Sequence, residues 1–135
     1  MHTIQIGMTG KHSLTVTDDL TASHMGSGSV AVYATPAMIA LMEAAAVNAI
    51  ESALSEGVTS VGTAIAITHT AATPPGQTVH AEAEVTAVDG RQISFSVRAY
   101  DEHEIIGEGT HRRAVIDRAR FMQRVQSKNP DSSSS

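Results

Sequence analysis

The chain contains no cysteine and no tryptophan, only two tyrosines and two phenylalanines, and four prolines in 135 residues. Without cysteine there can be no disulfide, no thiolate zinc site and no thiol nucleophile. With aromatics at 3%, the core has to be built from Ala, Val, Ile, Leu and Met. Positive charge is also scarce. Nine Lys and Arg stand against 14 Asp and Glu, a net charge of −5, which argues against a nucleic-acid partner. No apolar run approaches the ~18 residues of a membrane span. The N-terminal MHTIQIGMTGKHS lacks the basic-then-apolar order of a secretory signal. A cytoplasmic protein with no membrane partner is expected. The seven histidines show no metal-ligand spacing, so neither a metal nor a cofactor is expected.

What is present reads as a single domain over residues 1–126, long enough for one core. The polar tail 127–135 (SKNPDSSSS) is expected to be disordered. Lys11 to Thr17 alternates and predicts a short strand, and the polar, glycine-containing Asp18 to Ser29 predicts a loop. A helix should start at Thr35-Pro36, with Thr as N-cap and Pro at the first helical position. It should run through AMIALMEAAAVNAIESAL and stop at Gly57. That segment is apolar nearly all round as far as Asn48, the mark of a buried helix. Strands follow. The first is Ser60 to Thr70, ended by the turn Thr73 to Gly76. The next has Val79, Ala81, Ala83 and Val85 on one face. Asp89-Gly90 predicts a tight type I′ hairpin turn. Ile93, Phe95, Val97 and Ala99 then alternate inward. Asp101 to Glu104 makes another turn, and Ile106 to Asp117 is the last strand.

One long apolar helix among about five strands is an α+β pattern. The simplest way to bury such a helix is to wrap it in a curved antiparallel sheet, which is the hotdog architecture. A single sheet covers only part of the helix and leaves an edge strand open. A homodimer or a higher homo-oligomer is therefore expected, with the active site near the subunit boundary.

Three residues form the minimal kit for acyl transfer: a hydroxyl at Thr35, a carboxylate at Glu43 and an imidazole at His69. Each has a plain structural alternative. Thr35 can simply cap the helix. Glu43 can be a buried carboxylate paired with an arginine. His69 can be a hydrogen-bonded strand residue. In its apolar helix Glu43 should feel desolvation. Gly62 would let a substrate carbonyl approach the backbone N–H groups of Gly62 or Thr63, or be a strand bulge. Arg112 and Arg113 point to opposite faces of their strand, so one faces solvent and the other meets substrate or a carboxylate. Arg118, Arg120, Arg124 and Lys128 could meet phosphates or form a solvated segment. On a continuous helix Thr35 and Glu43, eight residues apart, stand about 12 Å from each other along the axis and cannot hydrogen-bond directly.

Three segments, VYATPAMIALMEAAA (32–46), VGTAIAITHTAATPPG (61–76) and IGEGTHRRAVI (106–116), resemble the fluoroacetyl-CoA thioesterase family of hotdog proteins. The resemblance runs from about Lys11 to Val125. It implies thioester hydrolysis, with Thr35, Glu43 and His69 as the catalytic group and Gly62 and Arg113 at the substrate. It also implies an acyl-CoA substrate, in which coenzyme A is part of the substrate rather than a cofactor. One departure stands out. The loop Ala22 to Ala31 is shorter than in the fluoroacetyl-specific enzyme and carries no aromatic residue, so an acyl pocket without an aromatic lid is expected. The expected function is hydrolysis of a small acyl-CoA to free acid and CoA. The alternatives are a non-catalytic acyl-CoA-binding module and a hotdog enoyl-CoA hydratase or dehydratase.

Overall fold

The computed structural model describes residues 1–130. Five strands form one antiparallel sheet in the order β1-β3-β4-β5-β2, where β1 is Thr9–Thr15, β2 Val58–His69, β3 Thr78–Asp89, β4 Gln92–Tyr100 and β5 Ile105–Asp117. Three helices accompany them: α1 (Ala22–Met25), α2 (Thr35–Ile50) and α3 (Arg118–Gln126). The first strand thus begins two residues before the expected start and ends two before the expected end. The segment read as a loop contains a 3-10 turn at Asp18–Leu20 and the short α1.

Helix α2 lies on the sheet through Ala37, Met38, Leu41, Met42, Ala45, Ala46, Ala49 and Ile50, all buried. Inward side chains of the sheet meet them: Val79, Ala81, Ala83 and Val85 from β3, and Ile93, Phe95, Val97 and Ala99 from β4. This is the two-residue alternation read in the sequence. Each fully buried large side chain contributes about 1.5–3 kcal/mol of transfer free energy, so the Ala-rich seam depends on its few large members. Among these Met38, Met42 and Ile50 are 0% exposed.

Three features depart from the sequence reading. Helix α2 ends at Ile50, not at Gly57. A 3-10 turn, Glu51–Ala53, follows, and Gly57 sits in a left-handed conformation just ahead of β2. The helix is also not buried all round: Ala40 and Asn48 are exposed, and Ile39, Glu43 and Val47 are half-buried. These last three recur every four residues, so they form one stripe that the sheet of one chain does not close over. Finally, the β3–β4 hairpin places Asp89 opposite Gln92 with Gly90 and Arg91 between them. Gly90 has φ +60° while no non-glycine residue among the described ones has positive φ. A type I′ turn needs positive φ at both positions; glycine first and a negative φ second fits type II′.

Strand β2 is one of the two edges of the sheet, β1 being the other. It pairs with β5 along its whole length and with no other strand among the described residues. Its register shifts between Gly62 and Ala64. That bulge reverses which side chains face inward, so that Ser60 and Gly62 before it and Ile65, Ile67 and His69 after it all turn toward α2.

Candidate active site

Thr35 is the first residue of α2 and Ala34 is its N-cap, so Thr35 does not cap the helix as expected. Its hydroxyl is instead 2.8 Å from Nδ1 of His69, the last residue of β2. Burial is the main influence on His69 and lowers its pKa, with the backbone of Ala71 offsetting part of the shift. The imidazole is therefore neutral at pH 7 and able to take a proton. Its Nε2 is buried and makes no hydrogen bond. The ring of Tyr33 stands edge-on to it, centroids 6.5 Å apart at 78°. The Tyr33 hydroxyl is likewise buried without a partner, and burial pushes its pKa above that of an ordinary phenol. A cavity of about 260 Å³ opens here, lined by Thr35, His69 and Tyr33 together with Ala22, Ser27 and Val32.

A second cluster lies one helical stretch away. The Arg113 side chain is buried and its guanidinium is held from three sides. Nε donates to Ser60 Oγ (2.8 Å) and Nη2 to the Ser60 carbonyl (3.1 Å), while Nη1 donates both to Glu43 Oε2 (3.1 Å) and to His111 Nε2 (3.2 Å). Burial lowers the Arg113 pKa and the Glu43 carboxylate opposes that shift. Glu43 is not in the dry setting the sequence implied. Its side chain is 41% exposed, because it stands on the open stripe of α2. Its partner is the arginine that the structural alternative called for. Arg112, the neighbour of Arg113, is exposed, as the alternation of strand faces required.

Gly62 lies directly against this pair. A Cβ there would come within 2.5 Å of Glu43 Oε2, 3.3 Å of His111 and 3.4 Å of Arg113 Nη1. It is also at the bulge, so the two readings of this glycine coincide: the bulge is what brings its backbone to the carboxylate.

The five expected site residues therefore fall into two groups, Thr35 with His69 and Glu43 with Arg113 and Gly62. Helix α2 is continuous from Thr35 through Glu43, so these two stand about 12 Å apart along it. Along β2, Gly62 and His69 are roughly 20 Å apart. The three side chains read as one catalytic group do not converge within one chain. A concavity of about 720 Å³ lies away from both groups beside Lys11, Glu82 and Arg98. Its two cations are both engaged by Glu82, which pairs with Lys11 at 3.3 Å and Arg98 at 3.2 Å.

Residues 16–119 match the family model described as fluoroacetyl-CoA-specific thioesterase. The chain belongs to this family. A fluoroacetyl-CoA thioesterase of Streptantibioticus cattleyicolor is 50% identical over 99 residues, 73% of this chain and 71% of that protein. A crystal structure of a variant of the fluoroacetyl-CoA-specific thioesterase superposes with a TM-score of 0.88 at 40% identity, covering 96% of this chain and all of that one. The same variant is described in complex with fluoroacetate and CoA. A Thermus thermophilus member of the thioesterase superfamily has a TM-score of 0.85 at 28% identity, covering 95% of this chain and 97% of that one. The chain is a thioester hydrolase of hotdog fold, as the three sequence segments implied.

Sequence reasoning missed Tyr33, Ser60 and His111. Tyr33 and His111 stood inside the resembling segments and Ser60 one residue before one of them, yet all three carry common residue types. For His111 the signal was its two-residue spacing from Arg113, which puts both on one face of a strand.

Proposed function

We propose that this protein hydrolyses a short-chain acyl-CoA to the free acid and CoA, in a site completed by two copies of the chain. The observation that carries the reading is the Thr35 Oγ–His69 Nδ1 contact of 2.8 Å at a small cavity. It supplies a hydroxyl beside a neutral imidazole, while the carboxylate the chemistry also needs stands on an open edge nearby.

Antiparallel pairing of β2 with its copy would supply the missing half. The strand offers a free row of backbone N–H and C=O groups on an apolar sequence, VGTAIAI. If Gly62 of one copy lies opposite His69 of the other, the bulge after Gly62 counts as one position, Ile65 lies opposite Ile67 and the two-fold axis passes through Ala66. The Thr35–His69 pair of one protomer then faces Glu43, Gly62 and Arg113 of its partner, twice per dimer. The half-covered stripe Ile39, Glu43 and Val47 is closed by the same contact.

In that site a thioester carbonyl approaches the Gly62 backbone, whose N–H stabilises the oxyanion. Arg113 engages only Oε2 of Glu43, which leaves Oε1 to attack the carbonyl carbon or to deprotonate a water that attacks it. Either way a C–O bond forms and the C–S bond breaks. His69, neutral at rest, accepts a proton from the water that attacks the thioester or the anhydride, directly or by way of Glu43, and passes it to the CoA thiolate, and Thr35 orients the imidazole. If Oε1 attacks, water then cleaves the resulting anhydride and restores the carboxylate. A single turnover in H2(18)O that leaves label in Glu43 establishes the anhydride route, with water attacking the Glu43 carbonyl carbon.

The cavity is lined by Ala22, Ser27 and Val32 beside Tyr33, Thr35 and His69, and the loop 22–31 carries no Phe, Tyr or Trp. We propose that acyl selection works by size without an aromatic gate. The test is release of free thiol from acetyl-, fluoroacetyl-, propionyl- and longer acyl-CoAs. The expected result is turnover of the short members, with acetyl-CoA and fluoroacetyl-CoA within about tenfold of each other. Glu43→Gln should lower kcat at least about a hundredfold, a loss of about 2.7 kcal/mol of transition-state stabilisation, with the fold intact. Binding without thiol release, or loss of enoyl absorbance without it, would overturn the reading.

A further inference from the structure

We infer that His111 is a positioning residue that sets the orientation of Arg113 and so keeps Glu43 bound through one oxygen only, an inference that rests on the thioesterase reading above. The ring is almost fully buried, 4% exposed, and stacks on Phe95 with centroids 5.8 Å apart at 27°. Its two nitrogens face partners whose roles are fixed. Nδ1 is 2.8 Å from the Ala64 carbonyl, which can only accept, so Nδ1 carries the proton. Nε2 is 3.2 Å from Arg113 Nη1, which can only donate, so Nε2 carries the lone pair. The neighbours thus select one neutral tautomer of the two.

The charged groups facing the ring are Arg113 from its own strand and Glu43 from α2, the latter 4.0 Å away. Burial is the largest influence on His111 and disfavours its cation. Arg113 does so too, while the Ala64 carbonyl and Glu43 act the other way. A second proton would put an N–H against an N–H and displace the guanidinium.

The consequence for Glu43 follows from counting donors. Arginine has five N–H groups. Ser60 takes one from Nε and one from Nη2, and His111 and Glu43 share the two on Nη1. Ser60 fixes the Nε side of the fork, and His111, by accepting one Nη1 hydrogen, fixes the angle at which only Nη1 reaches the carboxylate. Without that acceptor, the bidentate pairing that arginine prefers with carboxylates becomes open to it, and Oε1 is lost to the reaction.

His111→Phe keeps the aromatic volume against Phe95 and removes both hydrogen bonds. It should lower kcat at least tenfold with KM within about threefold. His111→Gln, which returns an acceptor toward Arg113, should recover most of the loss. In an Arg113→Ala background the same His111→Phe change should cost nothing further, because a residue acting through Arg113 has no separate path. Ring 15N shifts should show Nδ1 protonated and Nε2 bare at pH 7. A His111→Phe enzyme within twofold of wild type, losses that multiply in the Arg113→Ala background, or a proton on Nε2 at pH 7 would each overturn the inference. If wild-type protein releases no CoA from any acyl-CoA, the thioesterase reading fails, while the 15N spectrum still decides the state of His111.

Discussion

Gly62 shows how much one residue can demand of its backbone. Any Cβ there meets a carboxylate oxygen at 2.5 Å, inside the closest approach real side chains make. Glu43 is the flexible partner and would be the one to move, since its side chain is 41% exposed. Gly62→Ala should therefore leave the melting temperature within about 3 °C of wild type, because little buried structure is disturbed. The same change should lower kcat/KM at least tenfold, by displacing the carboxylate and crowding the N–H that faces the substrate. A variant with full activity would show that neither the close approach nor the position of Glu43 matters. From the sequence, the importance of Gly62 was legible as a strand glycine with two readings. Their coincidence was not, because a bulge depends on pairing with β5, a strand some fifty residues later. Glu43 is the converse case. A carboxylate among Ala, Leu and Met reads as buried by composition, yet exposure is decided by which side of the helix the sheet reaches.

At the scale of elements, periodicity carried the reading and end chemistry carried it less well. Strands β3 and β4 were legible to within a few residues, since alternation on a half-buried sheet leaves a direct trace. Helix α2 was legible in its start and body but not in its end, because Ala-rich sequence favours helix beyond the point where the sheet stops supporting it. Helix α3 went unread, although its signs were there. Asp117 accepts from the Arg120 N–H as an N-cap, and Phe121 and Val125 lie one turn apart. The expected disorder of the tail falls mostly outside the described residues; Ser127 to Asn129 continue α3 in hydrogen-bonded turns.

The proposed CoA substrate gives helix α3 a testable role. Arg120 and Arg124 line a cavity of about 420 Å³ with Arg91, Phe121 and Asp117, and these arginines form no ion pair among the described residues. Three cations without an ion pair in an acidic chain suit the phosphates of CoA. Replacing Arg120 and Arg124 together by Ala should raise KM for acyl-CoA at least fivefold and leave the KM for the matching acyl-pantetheine thioester, which has no nucleotide, unchanged. Equal effects on both substrates would remove α3 from the CoA site.

Strand β2 belongs to the same scale. Its outward residues Ala64, Ala66 and Thr68 are exposed, small and uncharged, an undefended edge. Ala66 sits at the proposed two-fold axis, so Ala66→Lys would set two cations together there. Size-exclusion chromatography with light scattering should show a monomer, with thiol release lost in parallel and the far-UV spectrum retained. A monomer that still turns over would refute the two-copy site.

For the whole molecule the proton balance has one sign. His69 and His111 both have pKa values lowered chiefly by burial. Each is below the 6.5 of an unrestrained imidazole, so the unfolded chain binds more protons than the folded one once the pH drops under about 6.5. The stability slope with pH follows unfolded-minus-native protons bound and is positive there. Stability is therefore full above that value and falls with acid. Asp101 reinforces the trend at lower pH. Burial pushes its pKa up, but this is outweighed by hydrogen bonds from the backbone N–H groups of His103 and Glu104 and from the Thr73 hydroxyl. The net pKa lies below the ordinary 3.8, and the stability this gives is lost as the carboxylate is protonated. Thermal unfolding across pH 8 to 4.5 should give a flat plateau above pH 7 and a decline below 6.5. In His111→Gln, which removes one of the two buried imidazoles, the decline should be shallower. A melting temperature that rises on acidification from pH 7 to 5 would mean that these histidines gain protons on folding, contrary to the buried neutral rings on which both half-sites depend.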